Sequence, residues 1–423
     1  MSRPRAVVLV TGSELVRGDR RDLNGPFLAG ELVRLGLEPA RITIVGDGPG
    51  ELRSALEEGL QADLLVISGG LGPTHDDRTV ELLAAAAGRQ LIVDPGLESE
   101  IESVSRRIAE RLRRPYADFA QGVSKQASLP EGGKSLGLAG TAPGVVLAAN
   151  HSVAVALPGP PSELQRLWRS ALESESVRGV LARARPPGRR VLRFFGASES
   201  AVAQALTEAG GDGDGVEATI CARDFEIHVD LFVQPGADER ADALSAALRA
   251  PLERYLFAED ERGIEEIVLS LCRSRGLKLA AAESCTGGMV AERLTSVPGA
   301  SDVFAGSIVT YSNSSKHHLL GVSDELLERH GAVSAEVAAA MASGASVQLQ
   351  ADVAVAVTGI AGPGGGTPEK PVGLVFLHAV SPDGERAREL NVPGEREQVR
   401  RRSTVAALHI VRTLLIQSRD RVV

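Results

Sequence analysis

Two short stretches concentrate the residue types that do covalent or metal-assisted chemistry. The first is Ala281-Ala282-Glu283-Ser284-Cys285-Thr286-Gly287-Gly288. It joins a short apolar run to a helix-forming segment, so Ser284 is expected on a strand-to-helix turn at a sheet edge. Beneath the N–H groups that open the next helix, such a turn offers a nucleophile and an oxyanion-stabilising dipole together, although it is not the G-x-S-x-G elbow. Serine needs a base. No histidine or aspartate motif flanks Ser284, but Thr310-Tyr311-Ser312-Asn313-Ser314-Ser315-Lys316 follows a second strand expected in the same sheet. A desolvated lysine gives up its own proton readily enough to accept one from serine, and serine–lysine pairs are a variant of triad logic. Three other readings stand beside this one: Lys316 as a surface lysine, Ser284 as a helix cap, and Cys285 as the nucleophile. A third segment, Val357-Thr358-Gly359-Ile360-Ala361-Gly362-Pro363-Gly364-Gly365-Gly366, follows a strand and suits backbone contacts to phosphate or ribose, or is a plain surface loop.

The second stretch is Ser68-Gly69-Gly70-Leu71-Gly72-Pro73-Thr74-His75-Asp76-Asp77-Arg78-Thr79. Glycines at the carboxyl end of a parallel strand let backbone amides approach an anion, and a following helix adds positive potential. Asp76 and Asp77 could hold a divalent ion that bridges phosphate oxygens. The alternative is a tight turn with one aspartate as a helix cap. Thr11-Gly12-Ser13-Glu14-Leu15 is expected at the same sheet edge, with Glu14 and Asn24 facing one crevice. Gly140-Thr141-Ala142-Pro143-Gly144 is small and polar enough to line a ligand, or is an ordinary loop.

These motifs need a scaffold. Short β-branched runs at 6–11, 41–45, 64–68 and 153–157 alternate with helical spacing at 26–35 and 51–60, capped by Asn24 and Asp47, which predicts a parallel sheet covered by helices. The stretch 183–190 is rich in arginine, proline and glycine and reads as a linker. A small α+β block follows, with strands at 191–195, 218–222 and 226–233 and helices at 200–208 and 238–248. Its Gly210–Gly215 loop has the G-x-x-G form of the KH backbone clamp, but Asp212 and Asp214 inside it repel phosphate. The last unit places strands at 278–282, 307–311, 353–358 and 374–380 among helices at 264–275, 289–294, 336–346 and 395–416. The domains expected are 1–175, 188–255 and 261–423.

Composition narrows the classes. The chain has 423 residues, 43% of them hydrophobic, so it can bury ordinary cores without staples. Its three cysteines, Cys221, Cys272 and Cys285, show neither C-x-x-C nor Cys/His spacing, which excludes a disulfide framework and a structural zinc. The N-terminus lacks signal-peptide architecture and no apolar run approaches the ~20 residues of a membrane span, so a cytoplasmic protein without membrane partners is expected. A formal charge of −9 weighs against general nucleic-acid binding. Only five of the 46 basic residues are lysines, which singles out a lysine beside a candidate nucleophile.

Thr11–Leu15, Gly69–Thr79, Gly140–Gly144 and Leu157-Pro158-Gly159-Pro160-Pro161 together resemble the N-terminal domain of the CinA family, which has the MoaB/MogA molybdopterin-binding fold. Glu283–Gly288, Tyr311–Lys316, Thr358–Gly366 and Lys370-Pro371-Val372-Gly373 resemble the CinA C-terminal domain, known alone as PncC. The resemblance implies an α/β protein with a doubly wound MoaB/MogA-like N-terminal domain, a small KH-like α+β middle module and an α/β amidase C-terminal domain. It implies deamidation of nicotinamide mononucleotide (NMN) to nicotinate mononucleotide and ammonia, with Ser284 as nucleophile, Lys316 as base and Tyr311 orienting the pair. Thr286, Gly287, Gly288, Asn313, Thr358, Gly359 and Gly362 would bind NMN, without a cofactor.

At the other end it implies a metal-dependent ADP-ribose pyrophosphatase site of Glu14, Asn24, Gly69, Gly70, Gly72, Asp76, Asp77 and Thr141. There Asp76 and Asp77 would hold Mg or a similar divalent ion, with K a further candidate. Both substrates are fragments of NAD, and a homodimer is expected. Two readings of other classes stay open: a non-enzymatic pterin- or nucleotide-binding protein, and a DNA-uptake accessory.

Overall fold

The computed structural model describes residues 3–120 and 122–417, in two compact units, residues 1–188 and 189–423. In the first unit, strands β1 (Arg5–Thr11), β2 (Glu38–Val45) and β3 (Leu64–Ser68) are followed by the short pair β4 (Leu91–Val93) and β5 (Ser128–Pro130). Then come β6 (Lys134–Leu138), β7 (Pro143–Ala149) and β8 (Ser152–Leu157). The main sheet has the order β2-β1-β3-β8-β7-β6. Its first four strands are parallel and the rest antiparallel. Every residue of β3 and β8 is buried, as expected of strands packed on both faces. One face packs Leu52, Leu56, Leu83 and Ile101, and the other Leu28, Leu32, Leu164 and Trp168. The carboxyl ends of β1, β3 and β8 therefore meet at one edge, where doubly wound sheets take ligands.

Two expected caps are corrected. Helix Asn24–Arg34 is opened by Asp22, whose Oδ1 accepts the amides of Asn24 and Gly25, so Asn24 lies inside the first turn. Helix Pro49–Gly59 has Gly48 before it, and Asp47 turns the other way, toward Thr11 and Ser13.

The second unit begins with β9 (Gly188–Phe195), β10 (Val216–Arg223), β11 (Glu226–Val233) and β12 (Leu256–Ala258), in the order β10-β11-β9-β12. With helices Glu199–Glu208 and Asp238–Leu252 this is a βαββαβ module of the split-βαβ kind. Its glycine loop joins helix to strand, so KH-like describes its α+β content and not its element order. The loop also satisfies itself, since Asp212 Oδ1 accepts the Ala218 amide at 2.8 Å. The expected linker at 183–190 is shorter than its composition suggests, because Gly188–Arg190 already belongs to β9.

The remaining strands are β13 (Leu279–Glu283), β14 (Phe304–Val309), β15 (Val353–Gly359), β16 (Leu374–Ser381) and β17 (Gly384–Asn391), in the order β14-β13-β15-β16-β17. The first three are parallel; β16 and β17 run antiparallel to their neighbours. Helix Arg396–Gln417 covers one face, burying Val399, Ala406, Leu408 and Val411 against β15 and β16. The same core takes in Phe257 and Ala258, so the middle module and the C-terminal sheet pack as one body. Among the described residues, no helix is long and apolar enough to cross a membrane.

Candidate functional site

Ser284 follows β13, Thr310 follows β14 and Thr358 is the penultimate residue of β15, so three parallel strands deliver their carboxyl ends to one place. Lys316 lies on helix Asn313–Leu320, opened by Ser312, whose hydroxyl accepts the Ser315 amide. The helix turns the lysine inward until it is only 2% exposed. Its Nζ lies 3.1 Å from Ser284 Oγ and donates to the Thr310 carbonyl at 2.9 Å. Burial pulls the Lys316 ammonium below its ordinary lysine value, with the Cys285 thiol opposing. A buried lysine with one carbonyl and one hydroxyl as partners, and no carboxylate ion pair among the described residues, gives up its proton more readily than an ordinary lysine and so suits the work of a base.

Cys285 is the wrong nucleophile for this environment. It is buried, and burial pushes its thiol up to about 12, so the thiolate is scarce at neutral pH.

The turn itself is held in an unexpected way. The Glu283 carboxylate is wholly buried and accepts the amides of Gly288 (2.9 Å), Val290 (3.0 Å) and Ala291 (3.0 Å), with the Ser307 hydroxyl as a fourth donor (2.9 Å). The helix opening at Met289 is thus capped by the residue just before the candidate nucleophile, which takes up the amides of Gly288, Val290 and Ala291. Gly288 has φ 98°, a left-handed conformation that lets the chain double back to Glu283.

Arg400, from the closing helix, donates Nε to the Cys285 carbonyl (3.1 Å) and Nη2 to the Thr286 carbonyl (2.7 Å). Arg396, one helical turn earlier, donates to the Gly362 carbonyl at 2.8 Å and to the Tyr311 hydroxyl at 2.6 Å. Neither arginine stood out in the sequence, where arginines on a terminal helix read as a solvated face. The signal available was the unbroken Arg400-Arg401-Arg402 run within an otherwise core-forming helix.

Tyr311, expected to orient the pair, is 63% exposed with its hydroxyl accepting from Arg396, and Lys316 is held by the Thr310 carbonyl. Of the expected NMN-binding residues, Thr286 is buried with its hydroxyl unpartnered and Asn313 is exposed at the start of the lysine helix. Gly287 lies against Arg400, and Gly362 is fixed through its carbonyl. Gly288 uses its amide on Glu283. Thr358 donates its hydroxyl to the Ala332 carbonyl at 2.7 Å, which makes it a strut. A side chain at Gly359 would meet the Leu374 carbonyl at 2.8 Å, so that glycine serves strand packing. Lys370 anchors the glycine loop, donating to the His330 (2.6 Å) and Val333 (2.7 Å) carbonyls.

In the first unit a cavity of about 370 Å³ is lined by Glu14, Gly69, Gly70, Gly72, Asp76, Asp77 and Thr141, all expected there, and by Asp47 and Glu163, which were not. A side chain at Gly69 (φ 104°) would approach the Thr11 carbonyl to 2.6 Å, so glycine is what lets these two strand ends close. Asn24 does not line this cavity. It is buried behind it, donating to Ser68 Oγ (2.9 Å) and the Gly159 carbonyl (2.7 Å).

Burial pushes the Asp47 carboxyl up, but hydrogen bonds from Ser13 and Thr11 outweigh this and leave it below the ordinary carboxylate value. Glu163 has only burial acting on it and is raised. Asp76 is lowered, chiefly by the Thr74 hydroxyl. An oxygen of Asp76 and one of Asp77 both lie within hydrogen-bonding reach of Thr74 Oγ1, which has one proton to give, so the two carboxylates converge on it. Among the described residues no three histidine, cysteine or acidic side chains gather as a ready metal cage. Two hard carboxylates, with water and phosphate oxygens completing the shell, are the donor set that suits Mg²⁺.

Comparison with known proteins gives two family matches: a CinA C-terminal domain over residues 261–415 and a probable molybdopterin binding domain over residues 7–176. A CinA-like protein of Mycolicibacterium gilvum (strain PYR-GCK) is 43% identical over 422 residues, covering 97% of this chain and 98% of its own. A CinA-like protein of Mycobacterium tuberculosis (strain ATCC 25618 / H37Rv) is 41% identical over 423 residues, covering 97% of each chain. Among solved structures, the competence/damage inducible protein CihA from Agrobacterium tumefaciens is 40% identical with a TM-score of 0.35, covering 38% of this chain and 99% of that one.

Proposed function

The chain belongs to the CinA family, and from that premise we propose that its second unit is an amidase that hydrolyses NMN to nicotinate mononucleotide and ammonia. The observation that carries this reading is the buried Lys316 Nζ, 3.1 Å from Ser284 Oγ. Neutral Lys316 takes the Ser284 proton as Oγ adds to the carboxamide carbon. The resulting oxyanion would be met by backbone amides of the 284–289 turn that Glu283 does not hold. Collapse breaks the C–N bond, and the Lys316 ammonium returns the proton to the departing nitrogen as ammonia. Water, deprotonated by the same lysine, then adds to the acyl–serine ester; as the C–O bond breaks the lysine returns that proton to Ser284 Oγ, and the acid released ionises to the carboxylate. In this reading Arg396 and the exposed Tyr311, hydrogen-bonded to each other, would meet the rest of the nucleotide. The test is ammonia release from NMN by the full chain. Activity lost in both Ser284→Ala and Lys316→Arg supports the dyad, and activity retained in either sinks it.

The first unit supports a second reading, cleavage of the ADP-ribose pyrophosphate. The observation behind it is the cavity that brings the Gly69–Gly72 backbone and the Asp76/Asp77 pair together. A divalent ion held by Asp76 and Asp77 would neutralise phosphate charge when bound. The chain's own groups cradle the diphosphate with backbone amides, while Asp47 stays fixed by Ser13 and Thr11. AMP formation from ADP-ribose that needs Mg²⁺ and stops with a chelator supports this reading; metal-independent or absent cleavage refutes it.

A further inference from the structure

The β10–β11 hairpin turns through Arg223-Asp224-Phe225-Glu226, and both central residues are left-handed, with φ 50° at Asp224 and 72° at Phe225. A two-residue turn with positive φ at both positions suits strand twist, but it is ordinarily filled by Asn-Gly or Asp-Gly. A phenylalanine there is an outlier. Backbone strain of this kind persists where the surroundings over-determine it.

The surroundings are the closing helix. Asp224 Oδ2 accepts from Arg401 Nη2 at 2.6 Å and Nε at 3.2 Å, and the Arg402 guanidinium lies 5.4 Å from the centre of the Phe225 ring. Arg400, the neighbouring residue, holds the Cys285 and Thr286 carbonyls. Three consecutive arginines thus join the strained tip and the nucleophile turn to one turn of helix. Two turns further along, His409 donates or accepts at 2.8 Å with Glu226 and stacks on Phe195 at 3.7 Å, so the hairpin grips the helix twice.

We infer that the Asp224–Phe225 tip is a positioning device for the nucleophile, acting through the Arg401–Arg400 segment of the closing helix. This rests on the amidase reading and adds two positioning residues to it, Asp224 and Arg401, neither of which touches Ser284 or Lys316. A partly exposed ion pair contributes little to stability, so stability alone does not account for the strained tip. Fixing the rotation and height of the helix does, because Arg400 must meet two carbonyls of one turn at once. The middle module is then part of the amidase machinery in this chain and not a spacer.

The experiment uses the full chain with Asp224→Asn and with the reversed pair Asp224→Arg/Arg401→Asp. Three quantities are read: kcat and KM for ammonia release from NMN, the rate at which phenylmethanesulfonyl fluoride labels Ser284 (followed by peptide mass), and Tm. Asp224→Asn is expected to lower kcat and the labelling rate together by about tenfold, as small misplacements of reacting groups do, with KM and Tm little changed. The reversed pair recovers most of both rates. Unchanged kcat and labelling in Asp224→Asn overturns the inference, as does a loss that only parallels a fall in Tm or that the reversed pair fails to recover. If Ser284 of the unaltered chain labels but NMN yields no ammonia, the substrate reading falls while the labelling comparison still decides this one. A chain that neither labels nor releases ammonia overturns both.

Discussion

The two candidate centres solve opposite electrostatic problems. The Ser284 site is assembled dry: its lysine is 2% exposed and its one carboxylate, Glu283, is saturated by four donors. The first unit's cavity is open and acidic, lined by Glu14, Asp47, Asp76, Asp77 and Glu163. A pair that is already desolvated can move a proton without further components. A ring of carboxylates facing a diphosphate repels it until a cation intervenes. The difference teaches that reactivity in the second unit is built into the chain, whereas in the first it must be completed by what the chain binds.

That contrast breaks most directly at Ser284. Ser284→Ala should reduce ammonia release from NMN by at least ~10³-fold, as loss of a nucleophile does, while Cys285→Ala keeps most activity. The reverse result would show that the buried thiol is the nucleophile. Next comes the base: Lys316→Arg should fall by ~10²-fold or more, close to Lys316→Ala, because guanidinium keeps its proton. The sign of the pH dependence follows. The neutral amine is the active form, so kcat/KM should rise with pH through a midpoint below that of an ordinary lysine. A profile flat across that range removes Lys316 as the base.

On the other side of the comparison, Asp76→Asn and Asp77→Asn should each weaken Mg²⁺-dependent ADP-ribose cleavage by at least about tenfold, in the range usual for disturbing a metal's surroundings. Ammonia release should be untouched in both variants. A shared loss would mean that the two centres are not independent.

The smallest effect is on stability. His409 is buried at the module–helix contact, and burial holds its imidazole down to about 4 despite Glu226 beside it. A depressed value stabilises the fold above the unfolded histidine's pKa, and that contribution is lost as pH falls from about 6.5 to 4. Residues 189–423 should lose ~3 kcal/mol over this window, and His409→Phe should flatten the dependence, as read by denaturant melts at pH 7 and pH 4.5.

Legibility in the sequence followed distance along the chain. Strands 64–68 and 226–233 were readable to the residue because period and composition are local properties. Ser284 and Lys316 were readable because each sits in a compact motif after a strand. Asp47 was read as a helix cap, since short-range grammar favours that role; its partners Thr11 and Ser13 lie over thirty residues away. Arg396 and Arg400 were invisible for the same reason, their targets being more than eighty residues upstream of Arg396 at Tyr311 and farther still at Cys285. Tyr311 is the converse case: it lies close to Lys316 in sequence, but a helix starts between them, and the tyrosine is exposed and bonded to Arg396 while the lysine is buried beside Ser284.

The carboxylate clasp behind Ser284 also bears on how the proposed amidase could be inhibited. Mimics of a tetrahedral intermediate gain affinity where a charged oxygen meets a helix's positive end. Here that end is already met by a carboxylate from within the protein, so the extra charge would gain less there. Warheads tuned to soft thiols would pass over Cys285 for lack of thiolate. Selective compounds should therefore be uncharged acylating or sulfonylating agents aimed at Ser284.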